Sequence, residues 1–200
     1  MHRRAGRLAT AEEMLREALE IEIVGSAKPG EVQPALETLL AVEARYAQAY
    51  EPDSVTLMNM RNDLAWGLLE AGRLDEPQQI LNEVTSRIEP DPENAGQAWR
   101  RAHLFSAQRA LKAADPTGAA HHLAIARREL GPYDMEFDDR IRLELLARDT
   151  ELALGAPVRA QQRWRSAEAM AVEHLGRDHP LMAQVESRLQ EPVLDLVLDD

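Results

Sequence analysis

Small and apolar residues recur along this chain in steps of four, three and four, a rhythm that collects them on one face of an α-helix. The ladder Ala35-Leu39-Val42-Tyr46 is followed by Pro77-Leu81-Val84-Ile88, Ala119-Leu123-Ala126-Leu130 and Ala160-Trp164-Ala167-Ala171, opening 42, 42 and 41 positions apart. A fixed period of that size marks stacked helical repeats. Turn signals precede the ladders: Lys28-Pro29-Gly30, Ala71-Gly72-Arg73, Asp115-Pro116-Thr117-Gly118 and Gly155-Ala156-Pro157. Glycine supplies a left-handed C-cap to the helix before, and proline fits the first turn of the helix after. Each period is therefore two helices joined by a tight turn. Between periods, Glu51-Pro52-Asp53-Ser54, Glu89-Pro90-Asp91-Pro92, Gly131-Pro132-Tyr133-Asp134 and Gly176-Arg177-Asp178-His179-Pro180 break the chain and offer Asp or Ser caps. The pattern predicts helices near 8–24, 31–49, 54–71, 74–88, 92–113, 117–130, 135–154, 157–175 and 180–190.

One segment departs from the period. Gly6-Arg7-Leu8 with Ala11, Leu15, Ala18 and Leu19 reads as a second helix, yet Ala11 precedes Ala35 by 24 positions. The period places this segment in the first-helix slot of repeat one. A repeat pattern beginning this early is expected of a piece of a longer array or protein, because arrays usually open with a solubilising cap.

Asn62-Asp63-Leu64-Ala65, then Leu68, Ala71-Gly72-Arg73-Leu74-Asp75-Glu76-Pro77 and Leu81, resembles a tetratricopeptide repeat, and the period resembles its kinesin-light-chain variant. Leu175-Gly176-Arg177-Asp178-His179-Pro180 is similar to the Leu-Gly-x-Asp-His-Pro linker of bacterial repeats of that kind. The resemblance implies an all-α fold, a right-handed α-α superhelix of about four helix pairs closed by a C-terminal capping helix. The repeat domain then spans 1–190, with repeats at 8–50, 54–89, 92–131 and 134–175 and the cap at 180–190, leaving 191–200 as an acidic-aliphatic tail. It also implies a non-catalytic scaffold that binds a protein or peptide on its concave face, in a bacterial signalling or regulatory protein, for example beside a Ser/Thr kinase or DNA-binding domain. The alternative is a regulator that senses a peptide or small ligand and switches conformation.

Composition narrows the chemistry. Lys+Arg 23 against Asp+Glu 35 gives a net charge of −12, which repels phosphates and anionic lipid, so neither nucleic acid nor membrane is an expected partner. There is no cysteine, hence no disulfide, thiolate metal site or cysteine nucleophile. No apolar run reaches the length of a membrane span, and the start turns acidic before a signal-peptide core forms, so the expected location is cytoplasmic. Lysine occurs only at Lys28 and Lys112; that arginine bias, with so much alanine, suggests a GC-rich bacterial source.

No enzyme motif emerges: the expectation is no catalytic residue, no cofactor and no metal. His121 and His122 are helix neighbours whose side chains diverge by about 100° and do not share an ion. His179 reads as a turn residue capping a helix. Asp138-Asp139 and Glu12-Glu13 fit solvated faces or helix N-termini. The candidate recognition surface lies on the first helices. In repeat two, Leu57, Met60, Leu64 and Leu68 form one stripe, while Asn59, Asn62 and Trp66 form another. Amides that pair with extended backbone, beside an indole that covers an apolar group, suit a peptide groove; packing of Trp66 against the next repeat is the other reading. The resemblance places Asn62 and Asp63 at a ligand-contacting position, and the same registration adds Arg101, Leu104 and Gln108 from repeat three. Counting from Gly155 gives Arg148 in repeat four, with the register there open by one residue. The tail Val193-Leu194-Asp195-Leu196-Val197-Leu198-Asp199-Asp200 is expected either to seek an apolar surface, on the last repeat or on a second copy by self-association, or to stay disordered.

Overall fold

The computed structural model describes residues 29–87, 96–128, 135–176 and 179–190. Eight helices and no strand lie among them: α1 (Pro29–Ala49), α2 (Val55–Glu70), α3 (Glu76–Arg87), α4 (Gly96–Lys112), α5 (Pro116–Arg127), α6 (Phe137–Ala153), α7 (Pro157–His174) and α8 (Pro180–Gln190). The helix expected at 8–24, the linkers at 89–92 and 131–134, Ile88, Leu130 and the 191–200 tail lie outside the described residues. The chain forms two compact units, Met1–Phe105 and Ser106–Asp200, and the division falls inside the unbroken helix α4.

The 42-residue period has a physical basis in three turns of the same construction. Left-handed backbone occurs at Gly72 (φ 77°), Ala114 (φ 58°) and Gly155 (φ 72°), again 42 and 41 positions apart. At the first, Arg73 N–H donates to Leu68 O at 2.9 Å and Gly72 N–H to Leu69 O at 3.1 Å. Asp115 to Ala110 with Ala114 to Leu111, and Ala156 to Glu151 with Gly155 to Leu152, repeat this pair of bonds. Each is a Schellman closure, which satisfies the last helical carbonyls and turns the chain back on itself. Glycine takes the left-handed conformation freely, whereas Ala114 adopts it at a steric cost of about 1–2 kcal/mol. The next helix starts at once, and at the second turn Asp115 Oδ1 caps α5 by accepting from Gly118 N–H at 2.8 Å. Ser54 occupies the N-cap of α2 as expected, but its side chain makes no capping bond.

The described rungs of all four ladders are buried: Ala35, Leu39, Val42 and Tyr46; Pro77, Leu81 and Val84; Ala119, Leu123 and Ala126; Ala160, Trp164, Ala167 and Ala171. Burying each valine or leucine contributes about 1.5–3 kcal/mol, and the alanines let helix axes approach closely. In the first unit α2 packs against both α1 and α3; in the second, α6 packs against α5 and α7, and α8 against α7 and α6. Ile141, Leu145, Trp164, Ala167, Ala171, Met182 and Val185 form the core beneath α8, where Trp164 Nε1–H also donates to Val185 O at 3.0 Å. His179 caps α8, its Nδ1 accepting from Leu181 N–H at 3.3 Å.

Candidate functional site

The first helices differ in kind from the second. Among the described residues, the buried polar and charged side chains are Asn62 and Asp63 on α2, Arg100, Arg101, His103 and Ser106 on α4, and Asp139, Arg148 and Thr150 on α6. The second helices α3, α5 and α7 bury only apolar rungs. Burying a polar group is costly unless it is hydrogen-bonded, so each first-helix residue needs a specific arrangement to be held there.

In the first unit that arrangement fastens α2 to α4. Asn62 Nδ2–H donates to Ala98 O at 2.8 Å, in the first turn of α4. One residue on, the Asp63 carboxylate meets Arg101 Nη1 at 2.9 Å, and the Arg101 guanidinium lies 5.5 Å from the centre of the Phe105 ring, within cation–π range. The helical register makes this possible, since Asn62 and Asp63 leave α2 about 100° apart and reach two successive turns of the neighbouring helix. Two amide oxygens remain over: Asn59 Oδ1 and Asn62 Oδ1 are buried and accept no hydrogen bond. They sit one turn apart on α2, and an unsatisfied buried acceptor costs about 1–3 kcal/mol.

The other sequence candidates are distributed as follows. Trp66 is 4% exposed and Leu104 is fully buried, so in this conformation both act as packing residues. Arg101 is buried in its pair with Asp63, while Asn59 is half-buried. Asn59, Asn62, Asp63, Trp66, Arg101 and Leu104 thus belong to the first unit. Gln108, half-buried, and Arg148 belong to the second. Arg148 is 4% exposed and donates to Asp149 Oδ1 at 2.8 Å and to Arg188 O at 3.1 Å. It caps a last-turn carbonyl of α8, a favourable place for a cation. Arg188 returns a contact to Asp149 Oδ2 at 3.2 Å, so α6 and α8 are fastened through charged groups as α2 and α4 are.

Sequence reasoning missed Arg100, His103, Ser106 and Thr150; Asp139, read as a residue of a solvated face or a helix N-terminus, does lie in the first turn of α6 but is buried. No local signal marked them: α6 alternates charged and apolar positions, so Asp139, two residues before Ile141, is one acidic residue among several. Asp139 pairs with Arg142 Nη1 at 3.0 Å. On α5, burial and then the neighbouring His121 push the His122 imidazole below its usual range, with Asp115 opposing. Burial likewise lowers Arg127, against the pull of Glu144.

Among the described residues no group of three or more His, Asp or Glu is placed to hold a metal ion, and no helix is long and apolar enough to cross a membrane. No family model matches this chain, and neither a curated protein nor a solved structure shows significant similarity to it.

Proposed function

We propose that this chain is a non-catalytic peptide-recognition module of the tetratricopeptide type, whose helical hairpins stack as a right-handed superhelix with the first helices lining its concave, ligand-facing side. The observation that carries the reading is the pair of buried, donorless oxygens on Asn59 and Asn62. They lie on the helix type that holds all the buried polar side chains among the described residues. An extended peptide presents backbone N–H groups, and one that parts α2 from its neighbours to reach these buried oxygens relieves, by donating to them, a cost that the free protein bears. The partner is a protein or peptide segment, and the acidic charge of −12 favours one that is neutral or basic.

One feature supports the switching variant of this reading. Asn62 also holds Ala98 O at the start of α4, so a ligand on its amide alters a bond between two helices as it binds.

Selecting binders from a random peptide library on the full chain tests the proposal. Selected peptides are expected to lose affinity by about five-fold to thirty-fold with Asn59→Ala, the loss of one hydrogen bond in a desolvated site. They should be indifferent to Val158→Ala and Val172→Ala on the exposed face of α7. Peptides that ignore Asn59 and respond to the α7 variants would place recognition on the second helices and end this reading.

A further inference from the structure

The first helices carry three different residues at one equivalent position. Arg61, His103 and Glu144 each stand 11 positions before the left-handed turn residue of their hairpin, namely Gly72, Ala114 and Gly155. On α2, Arg61 is held between two carboxylates from the helices on either side. Its Nε lies 3.1 Å from Glu43 Oε1 on α1, and its Nη1 lies 2.9 Å from Glu83 Oε1 on α3. On α6 the same bridge appears with every sign reversed: Glu144 Oε1 lies 2.8 Å from Arg127 Nη2 on α5, and Glu144 Oε2 lies 3.4 Å from Arg163 Nη1 on α7. On the preceding helix the flanking positions correspond, since Glu43 and Arg127 each follow the third rung of their ladder, Val42 and Ala126; on the following helix they differ, Glu83 preceding the third rung Val84 and Arg163 the second rung Trp164. On α4 the position holds His103, buried and edge-on to Trp99 with ring centroids 4.4 Å apart.

Partly exposed bridges of this kind add little to stability. Their arrangement does discriminate. A chain of near-equivalent hairpins faces competing packings, in which a hairpin slips by one period or takes the wrong seat in a second copy of the chain. The apolar ladders offer little defence, because each presents a small opening residue and rungs of similar spacing. Charge does: a hairpin carries its own second helix with it, so seating α2–α3 where α6–α7 belongs would set Arg61 against Arg127, and seating α6–α7 after α1 would set Glu144 against Glu43.

We propose that the reversed bridges key the α2–α3 and α6–α7 hairpins to their own seats and so suppress exchange of these hairpins between copies of this chain. The test is refolding of the full chain from urea at high protein concentration, with species weighed by size-exclusion chromatography and light scattering. The triple variant Arg127→Glu/Glu144→Arg/Arg163→Glu keeps both local bridges but gives the two units the same sense. Removing two like-charge clashes from the exchanged form is expected to raise the ratio of exchanged dimer to monomer by about five-fold to thirty-fold. A neutral version, with all three positions changed to Gln, should give a smaller rise. Adding Glu43→Arg, Arg61→Glu and Glu83→Arg to the triple variant restores opposite senses, with Arg87→Glu preserving the α3 pair in which Arg87 Nε lies 2.8 Å from Glu83. That combination should return to the wild-type ratio. An unchanged dimer fraction in the triple and neutral variants, or one that stays raised in the combined variant, overturns the proposal.

Discussion

The second helices touch the rest of the protein along one stripe, while the first helices are enclosed on several sides, and this difference separates helices that bury apolar rungs alone from helices that also bury polar groups. On α3 the buried residues are Pro77, Leu81 and Val84, and on α5 they are Ala119, Leu123 and Ala126. On α2 they run almost without a gap from Leu57 to Leu69 and include Asn62, Asp63 and Trp66. A helix with one neighbouring layer needs only an apolar stripe. A helix between neighbours can place polar groups in a low-dielectric interior, where they are strong if paired and costly if not. Polar chemistry in this molecule is therefore concentrated on α2, α4 and α6.

The sharpest break between the two helix types should come from ion pairs. Arg101→Ala removes the cation facing the fully buried Asp63 and is expected to cost about 3–5 kcal/mol in urea unfolding. The matching change on a second helix, Arg159→Ala, removes a partner of Glu151 that is 64% exposed and should cost at most about 1 kcal/mol. Equal losses would erase the distinction between the two helix types.

Packing within a second helix should discriminate its two faces. Ala119 is fully buried, so Ala119→Leu overpacks the ladder by about 1–3 kcal/mol. Ala169 lies on the outer face of α7, and Ala169→Leu should shift stability by no more than about 0.5 kcal/mol. A melting temperature unaffected by Ala119→Leu would show the ladder to be out of phase.

Legibility from sequence follows the same division. The ladders were readable because a one-sided helix writes its whole environment in its period: the rungs beginning at Ala35, Pro77, Ala119 and Ala160 are buried wherever they are described. The turns were readable where glycine marks them, at Gly72 and Gly155, and at Ala114 through the Asp115-Pro116 signal that follows. The role of Arg148 was not readable, since its partner carbonyl lies on Arg188, 40 positions away, and nothing local specifies that meeting. Nor does a polar stripe such as Asn59-Asn62-Trp66 distinguish solvent from a neighbouring helix. Asn62 fits either, and here it meets Ala98.

A smaller effect should mark the one turn that departs from its two counterparts. Ala114→Gly relieves left-handed strain and should raise stability by about 1 kcal/mol, while Gly155→Ala should lower it by a similar amount. Opposite signs at equivalent turns, measured by thermal unfolding, would sharpen the repeat register. The smallest expected effect is a pH dependence. The His122 imidazole is held below 6.5, mainly by burial, so the unfolded chain binds its proton first as pH falls. This contribution to stability is present above pH 6.5 and is lost as the pH falls through the lowered folded value. Its signature is a melting temperature that declines over that acidic window less steeply in His122→Gln than in the wild type; parallel profiles would assign the acid sensitivity elsewhere.

The most direct test of the central claim reads the two donorless oxygens themselves. In a 13C NMR titration of the full chain with a library-selected peptide, the side-chain carbonyl carbons of Asn59 and Asn62 report whether their oxygens accept a hydrogen bond. The expected result is that both resonances start at the field of an unbonded amide carbonyl and move downfield together as the peptide saturates. Side-chain carbonyls that already show bonded shifts in the free protein, or that stay fixed while resonances on α3, α5 or α7 respond, would contradict the account.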